Sequence, residues 1–323
     1  MSSASETVFQ AGIESTKGTA VAATRKLYCV AELPVEDDNV QTVQQARDNY
    51  MANFDAVQTH RLGKWKMEQP ANYKDLMFWF QLMLKGGVAA SGAGPYTWTF
   101  NGAAASDDLD AMTLEAGDDV VALEVPYTLC GSWELSGADG NGPGLVNLKG
   151  DFVGTKKVDT TLTGAISDVD MSGAYLLFKN AAVYLDDTAG GIGSTEVAAL
   201  MAFSLKCDNK IQPNFPGNAG GIFTSHNRDK RFVEVQLDLL LNSATYTEFT
   251  DHYVGGDARF GQISITGIGN YDFSFNFHVA RWHKFEPKAS GPTRRVVLIG
   301  QTVYDPTLGY DWQTVVTNDE ATL

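Results

Sequence analysis

From residue 233 to 241 apolar and polar positions alternate, with Val233, Val235, Leu237, Leu239 and Leu241 separated by Glu234, Gln236 and Asp238. A period of two puts the two sets on opposite faces of a strand. Similar patterns, bounded by Gly, Pro, Asn or Asp clusters, predict strands at 62–67, 96–100, 120–135, 175–185, 201–207, 262–266, 273–282 and 295–303. Many short strands at this spacing read as an all-β sandwich or barrel.

Two segments instead carry helical spacing. Tyr73, Leu76, Met77, Phe80 and Leu84 share one face, and Lys85-Gly86-Gly87 stops the run. A second helix is predicted from Thr245 to Tyr253, where Thr245 and Glu248 have capping-box spacing, Tyr246, Phe249 and Tyr253 share a face, and Gly255-Gly256 follows. Phe80 and Phe249 are the expected buried anchors of the two helices.

Each helix follows a strand and precedes glycine and another strand, so the chain uses one plan twice. Gly142-Pro143 follows Trp133 as Gly291-Pro292 follows Trp282, and Leu148-x-Gly150-x-x-Val153 is matched by Leu298-x-Gly300-x-x-Val303. The expected fold is therefore mainly β, with two tandem sandwich or barrel domains at 1–165 and 170–323, each with one flanking helix. A polar stretch at 162–172 supplies the boundary, and the first half carries an extra Gly, Ala and Asp rich stretch at 86–119.

Length and composition agree with this, since 323 residues with 44% hydrophobic and 20% charged can bury a substantial core. Charge narrows the partners. Against 39 acidic residues stand 24 lysines and arginines, for a net charge of -15. Such a chain lacks the basic footprint of a nucleic-acid binder; its acidic surface is ordinary for a soluble protein, and it also suits a surface that lets a polyanion pass without holding it. Cys29, Cys130 and Cys207 follow no disulfide or zinc pattern, which points to folding in a reducing cytoplasm. The first ten residues lack the pattern of a signal peptide, and the most apolar run, 76–84, is interrupted by Gln81 and too short to span a bilayer. No membrane association is expected.

Motifs for chemistry are mostly missing. The glycines and hydroxyls of 190–195 are like a phosphate cradle but lack its lysine and read as a strand-connecting loop, and His60, His226, His252, His278 and His283 have no ligand spacing. Asp107, Asp108, Asp110, Asp118 and Asp119 lack the arrangement of a calcium loop. Neither an enzyme nor a cofactor is expected.

Three further motifs carry a resemblance. Gly18-Thr19-Ala20-Val21-Ala22-Ala23-Thr24-Arg25-Lys26-Leu27-Tyr28, then Ala71-Asn72-Tyr73-Lys74-Asp75-Leu76, then Gly92-Ala93-Gly94-Pro95-Tyr96-Thr97-Trp98-Thr99-Phe100, resemble in order and spacing the major tail tube proteins of siphophages. The resemblance covers the first half best. It implies tail-tube-like β domains that join across neighbours into rings, stacked as the virion tail's conduit for DNA and assembled in the host cytoplasm. Because both halves are tube-like, three chains would form a pseudo-hexameric ring where single-domain members need six; six chains remain the alternative. Tape measure and tail terminator proteins are the partners implied, with DNA passing through unbound.

On this reading Glu234, Gln236 and Asp238 face the lumen or, equally, outside solvent. The long loop that reaches the next ring falls at 34–53, with Glu36, Asp37 and Asp38 meeting the basic Arg228, Lys230 and Arg231 of an adjacent ring; the alternatives are an ordinary surface hairpin for the first and a solvated turn for the second. A competing reading is a receptor-binding or carbohydrate-binding module, which needs some of the six tryptophans and twelve tyrosines gathered on the surface.

Overall fold

A computed structural model describes residues 7–43, 55–102, 108–139, 144–197, 200–217, 220–290 and 293–323. It is mainly β, as expected. The first half holds β1 (Val8–Ile13), β2 (Arg25–Leu27), β3 (Val30–Ala31), β4 (Val35–Val43), β5 (Asp55–Pro70), helix α1 (Leu76–Met83), β6 (Tyr96–Asn101), β7 (Met112–Gly117), β8 (Ala122–Ala138), β9 (Asn147–Gly154) and β10 (Val158–Asp159). The second holds β11 (Ala181–Asp186), β12 (Leu200–Asp208), β13 (Ile211–Asn214), β14 (Ser225–Arg228), β15 (Val233–Leu240), helix α2 (Ser243–Thr247), β16 (Arg259–Thr266), β17 (Asp272–Ser290), β18 (Thr293–Thr302) and β19 (Trp312–Asn318).

The strands pair in the same order in both halves. β1 pairs with β7, β7 with β8, β8 with β9 and β9 with β5; likewise β11 pairs with β16, β16 with β17, β17 with β18 and β18 with β15. The shared sequence marks sit at matching places. Trp133 stands opposite Gly150, and Trp282 opposite Gly300. Glycine is needed at position 300 because a Cβ there would press into the Trp282 ring. The two Gly-Pro pairs lie outside the described residues.

β8 and β17 are long because each pairs with different strands along its two ends. The start of β8 pairs with β7 and β10, and its end with β9 and β12; the start of β17 pairs with β16 and β19, and its end with β18. Register shifts at Cys130/Ser132 and around Trp282 let each strand bend between its two sets of partners. The halves do not hang on a linker. β12 of the second half pairs with β8 of the first, and β6, from the extra stretch of the first half, pairs with β19 of the second.

α1 packs between the halves. All eight of its residues are buried, including Gln81, so the helix is enclosed on every side rather than flanking the sheets on one apolar face. Phe80 meets Phe100 of β6 and Phe273 of β17, while Trp79 meets Trp65 and Phe152 of the first half. Asp75 precedes the helix, yet its carboxylate caps no backbone. It accepts hydrogen bonds from Arg25 Nε at 2.9 Å, Gln69 Nε2 at 2.9 Å and Trp79 Nε1 at 2.7 Å, which satisfies a fully enclosed charge.

The second helix departs from its expected start. Asn242, not Thr245, is the N-cap, and Thr245 closes the capping box from the third helical position. After Thr247 the helix widens into a π-helical turn, Glu248–Val254, and Glu248 is taken up by the buried guanidinium of Arg259 at 3.0 Å. The side chain of Phe249 lies outside the described residues.

Glu115 ties the N-terminal segment to β7. Its buried carboxylate accepts bonds from Gln10 Nε2, Thr163 N and Thr163 Oγ1, each at 2.7 Å, and from Ala23 N at 3.2 Å. Burial alone would raise its pKa, but these donors prevail and hold it below the usual glutamate value. A folded-state pKa below the unfolded one contributes stability that is present above the unfolded value and lost as pH falls through the folded one. Acid titration followed by circular dichroism should therefore show Glu115→Gln losing less stability than the parent chain below about pH 4.3. Parallel acid limbs would contradict this.

Candidate functional site

The broadest candidate surface is the polar face of the sheet β5–β9–β8–β12–β15–β18. Directly paired residues share a face, so the printed neighbours form rows across the strands. Glu68 faces Lys149, Lys149 faces Glu134, Glu134 faces Lys206, and Lys206 faces Glu234. The sign alternates at every step. Lys149 lies 3.1 Å from Glu68 and Lys206 3.5 Å from Glu134.

Neighbouring rows follow the same logic. Lys66 pairs with Asp151 at 3.2 Å, and Ser132 Oγ donates to the same carboxylate at 3.1 Å. One step along, Asn147, Ser136, Ser204 and Gln236 form a neutral row. Beyond it Asp238 stands 3.9 Å from Arg295. Two shallow grooves of about 410 and 670 Å³ open on this face, the first beside Lys206 and Glu234 and the second beside β3.

Glu234, Gln236 and Asp238 are thus on the polar face, as their alternation requires, with Val233, Val235, Leu237 and Leu239 buried behind them. They do not form an unopposed acidic strip. The cross-strand lysines and Arg295 make this face mixed in charge although the chain is strongly acidic, a property invisible until partners on other strands are known.

The acidic segment and the basic patch, expected to meet across adjacent rings, each have partners within the chain. Residues 35–43 are a strand of a long hairpin with β5, in which Glu36 pairs with Arg61 at 3.3 Å and Asp37 with Lys64 at 2.5 Å. The Asp38 side chain lies outside the described residues. Arg231 is engaged in the interior of its own chain: Nη1 donates to Asn209 Oδ1 at 3.1 Å, Nη2 to Leu84 O at 2.5 Å, and the guanidinium covers the Trp312 ring. Arg228 Nε donates to Asn209 O at 3.3 Å. Of the three basic residues only Lys230 is well exposed.

Several chemical possibilities are filled by the chain itself. In the glycine-rich turn 190–195, Ser194 N and Thr195 N donate to Asp186, so a carboxylate occupies the place a phosphate would take. Asp108 pairs with Lys17, Asp110 accepts from Gly87 N, and Asp118 accepts from Val120 N and Val121 N. Asp107 lies outside the described residues. Among the described residues no group of three His, Cys, Asp or Glu is placed to hold a metal ion. None of the three cysteines is in a disulfide, and burial pushes the Cys29 thiol up to about 12. No described helix is long and apolar enough to cross a membrane.

Compared with known proteins, the chain matches no family model and no curated protein.

Proposed function

We propose that this chain is a structural subunit that polymerises into stacked rings, forming the tail tube of a non-contractile bacteriophage and the channel for its DNA. The supporting observation is the seam inside the molecule. A strand of the second half, β12, closes the sheet edge left by β8 of the first, so that two repeated bodies share one sheet. A body that seals its neighbour's edge in this way extends naturally to further copies.

Three chains then supply six bodies to a ring, with six chains as the alternative. The mixed-charge face lines the channel, where it offers DNA neither a basic track nor a uniform repulsion. No catalytic step is involved. Tape measure and tail terminator proteins are partners by resemblance, and the site of action is the virion tail.

The tryptophans give the binding-module reading no support. Trp65, Trp79, Trp98, Trp133, Trp282 and Trp312 are all buried, so no surface platform of tryptophans exists for a sugar ring. Negative-stain microscopy of the purified chain at rising concentration tests the proposal. Rings or tubes are expected, whereas monomers dispersed at every concentration would overturn it.

A further inference from the structure

The internal seam has a counterpart with one side missing. The end of β8 is flanked by β9 and β12, while the equivalent end of β17 is flanked by β18 alone among the described residues. On the first half, β3 pairs with β5 as β12 pairs with β15, and its other edge is unpaired among the described residues. The molecule thus ends in two edges that correspond to the two strands of its own seam.

The registers state which residues would meet. Met67 and Val235 are equivalent, because they face Gly150 and Gly300. Ala31 faces Met67 and Leu205 faces Val235, so Ala31 is the counterpart of Leu205. Leu135 faces Leu148 and Phe285 faces Leu298, two residues before the marker glycines, so Phe285 is the counterpart of Leu135. In the internal seam Leu205 stands opposite Leu135 and Lys206 opposite Glu134. We infer that the end of β17 pairs antiparallel with the 29–33 edge of a second copy of this chain, with Phe285 opposite Ala31 and Lys284 opposite Glu32. The inference rests on the self-assembly reading above.

Charge and exposure agree with this placement. The seam's ion pair reappears with its signs exchanged: Lys284, which lies 3.0 Å from Glu286 within its own chain, would turn to the glutamate beside β3. Val30 is 79% exposed, although it belongs to a strand, and Leu33 and Val35 are also exposed beside it. The groove of about 670 Å³ bordered by these three residues and Trp65 lies where the second copy would dock. The pairing also has a natural end. Asn209 N donates to Gly131 O and Asp139 N to Met201 O, so the odd-numbered residues of β8 turn their backbone groups toward β12. Pro287, in the place of Gly137, has no N–H to offer, and the ladder stops there.

By the same parity Lys284 and Glu32 form a non-hydrogen-bonded pair, whose Cα atoms stand about 4.5 Å apart, close enough for a disulfide. The test is the double variant Glu32→Cys/Lys284→Cys, assembled, oxidised and run on a denaturing, non-reducing gel. Covalent dimers and higher multiples are expected from the double variant and from neither single one. Rings that form without the cross-link would overturn this seam and leave the self-assembly reading standing; monomers from the parent chain would overturn both. Charge reversal gives a second readout that needs no new cysteine. Glu32→Lys or Lys284→Glu alone should raise the concentration needed for assembly about fivefold, and the two together should bring it back to within about twofold of the parent. Equal loss in the double reversal would show that the two residues do not meet.

Discussion

Trp79→Ala should destabilise the chain by about 3–5 kcal/mol, the usual cost of emptying a large aromatic site in a packed core. The ring is fully buried, packs between Trp65 and Phe152, and donates its N–H to the enclosed Asp75. Its removal therefore leaves a cavity and takes one of three hydrogen-bond donors from a buried carboxylate. For a chain of this length the melting temperature should fall by about 4–7 °C. Trp79→Phe, which keeps most of the packing and loses the bond, should cost clearly less.

The position of α1 adds a second readout. Because the helix touches β5, β6, β9 and β17, both halves should lose stability together and melt in one calorimetric transition. Two transitions, with only the first moved by the substitution, would contradict a shared core. So would a loss below about 1 kcal/mol, which is ordinary for surface changes.

The other large effect concerns DNA. Glu234→Lys with Asp238→Lys changes the chain's charge from -15 to -11 and places lysine opposite Lys206 in the alternating row. The fold should survive, since unfavourable cross-strand pairs cost roughly 0.2–1 kcal/mol each. The proposed channel should not behave as before. Every ring would present added cations to passing phosphates, and contacts of this kind change DNA affinity by about 10³ to 10⁵ between 50 and 200 mM salt when six to ten form. DNA release from assembled particles should become slow at low ionic strength and recover as salt is raised. Release that is unchanged at low salt would place this face outside the channel.

What the sequence revealed depended on whether a residue's partner was near it in the chain. β15 was legible because its alternation is local, and the repeat was legible because its Trp and Gly marks recur at a nearly constant spacing, with Gly150 crowded by Phe152 and Met83 and Gly300 by Val279 and Trp282. β7 was not, since Thr113 and Glu115 are buried polar residues that bond to Glu14, Gln10, Ala23 and Thr163 from elsewhere in the chain. β4 resembled a loop, being acidic and rich in amides. It holds as a strand because β5 pairs along it and brings Arg61 and Lys64 to Glu36 and Asp37.

The same distinction applies to the candidate site. The polar face of β15 could be read from its own residues, but the alternation of charge across five strands is a product of register. The β8–β12 seam joins residues about seventy positions apart, and no local period announces it. Arg231 illustrates the opposite error, a basic residue that looked like surface and is anchored to Leu84 O, Asn209 and Trp312.

Ring composition tests the central claim most directly. Native mass measurement on purified rings, combined with image averaging, should find three chains of 35.0 kDa and a six-fold arrangement that is only approximate. Three chains are what two repeated bodies per chain require, if a single-body subunit would need six. Six full-length chains in one closed ring, or no ring at all, would contradict it.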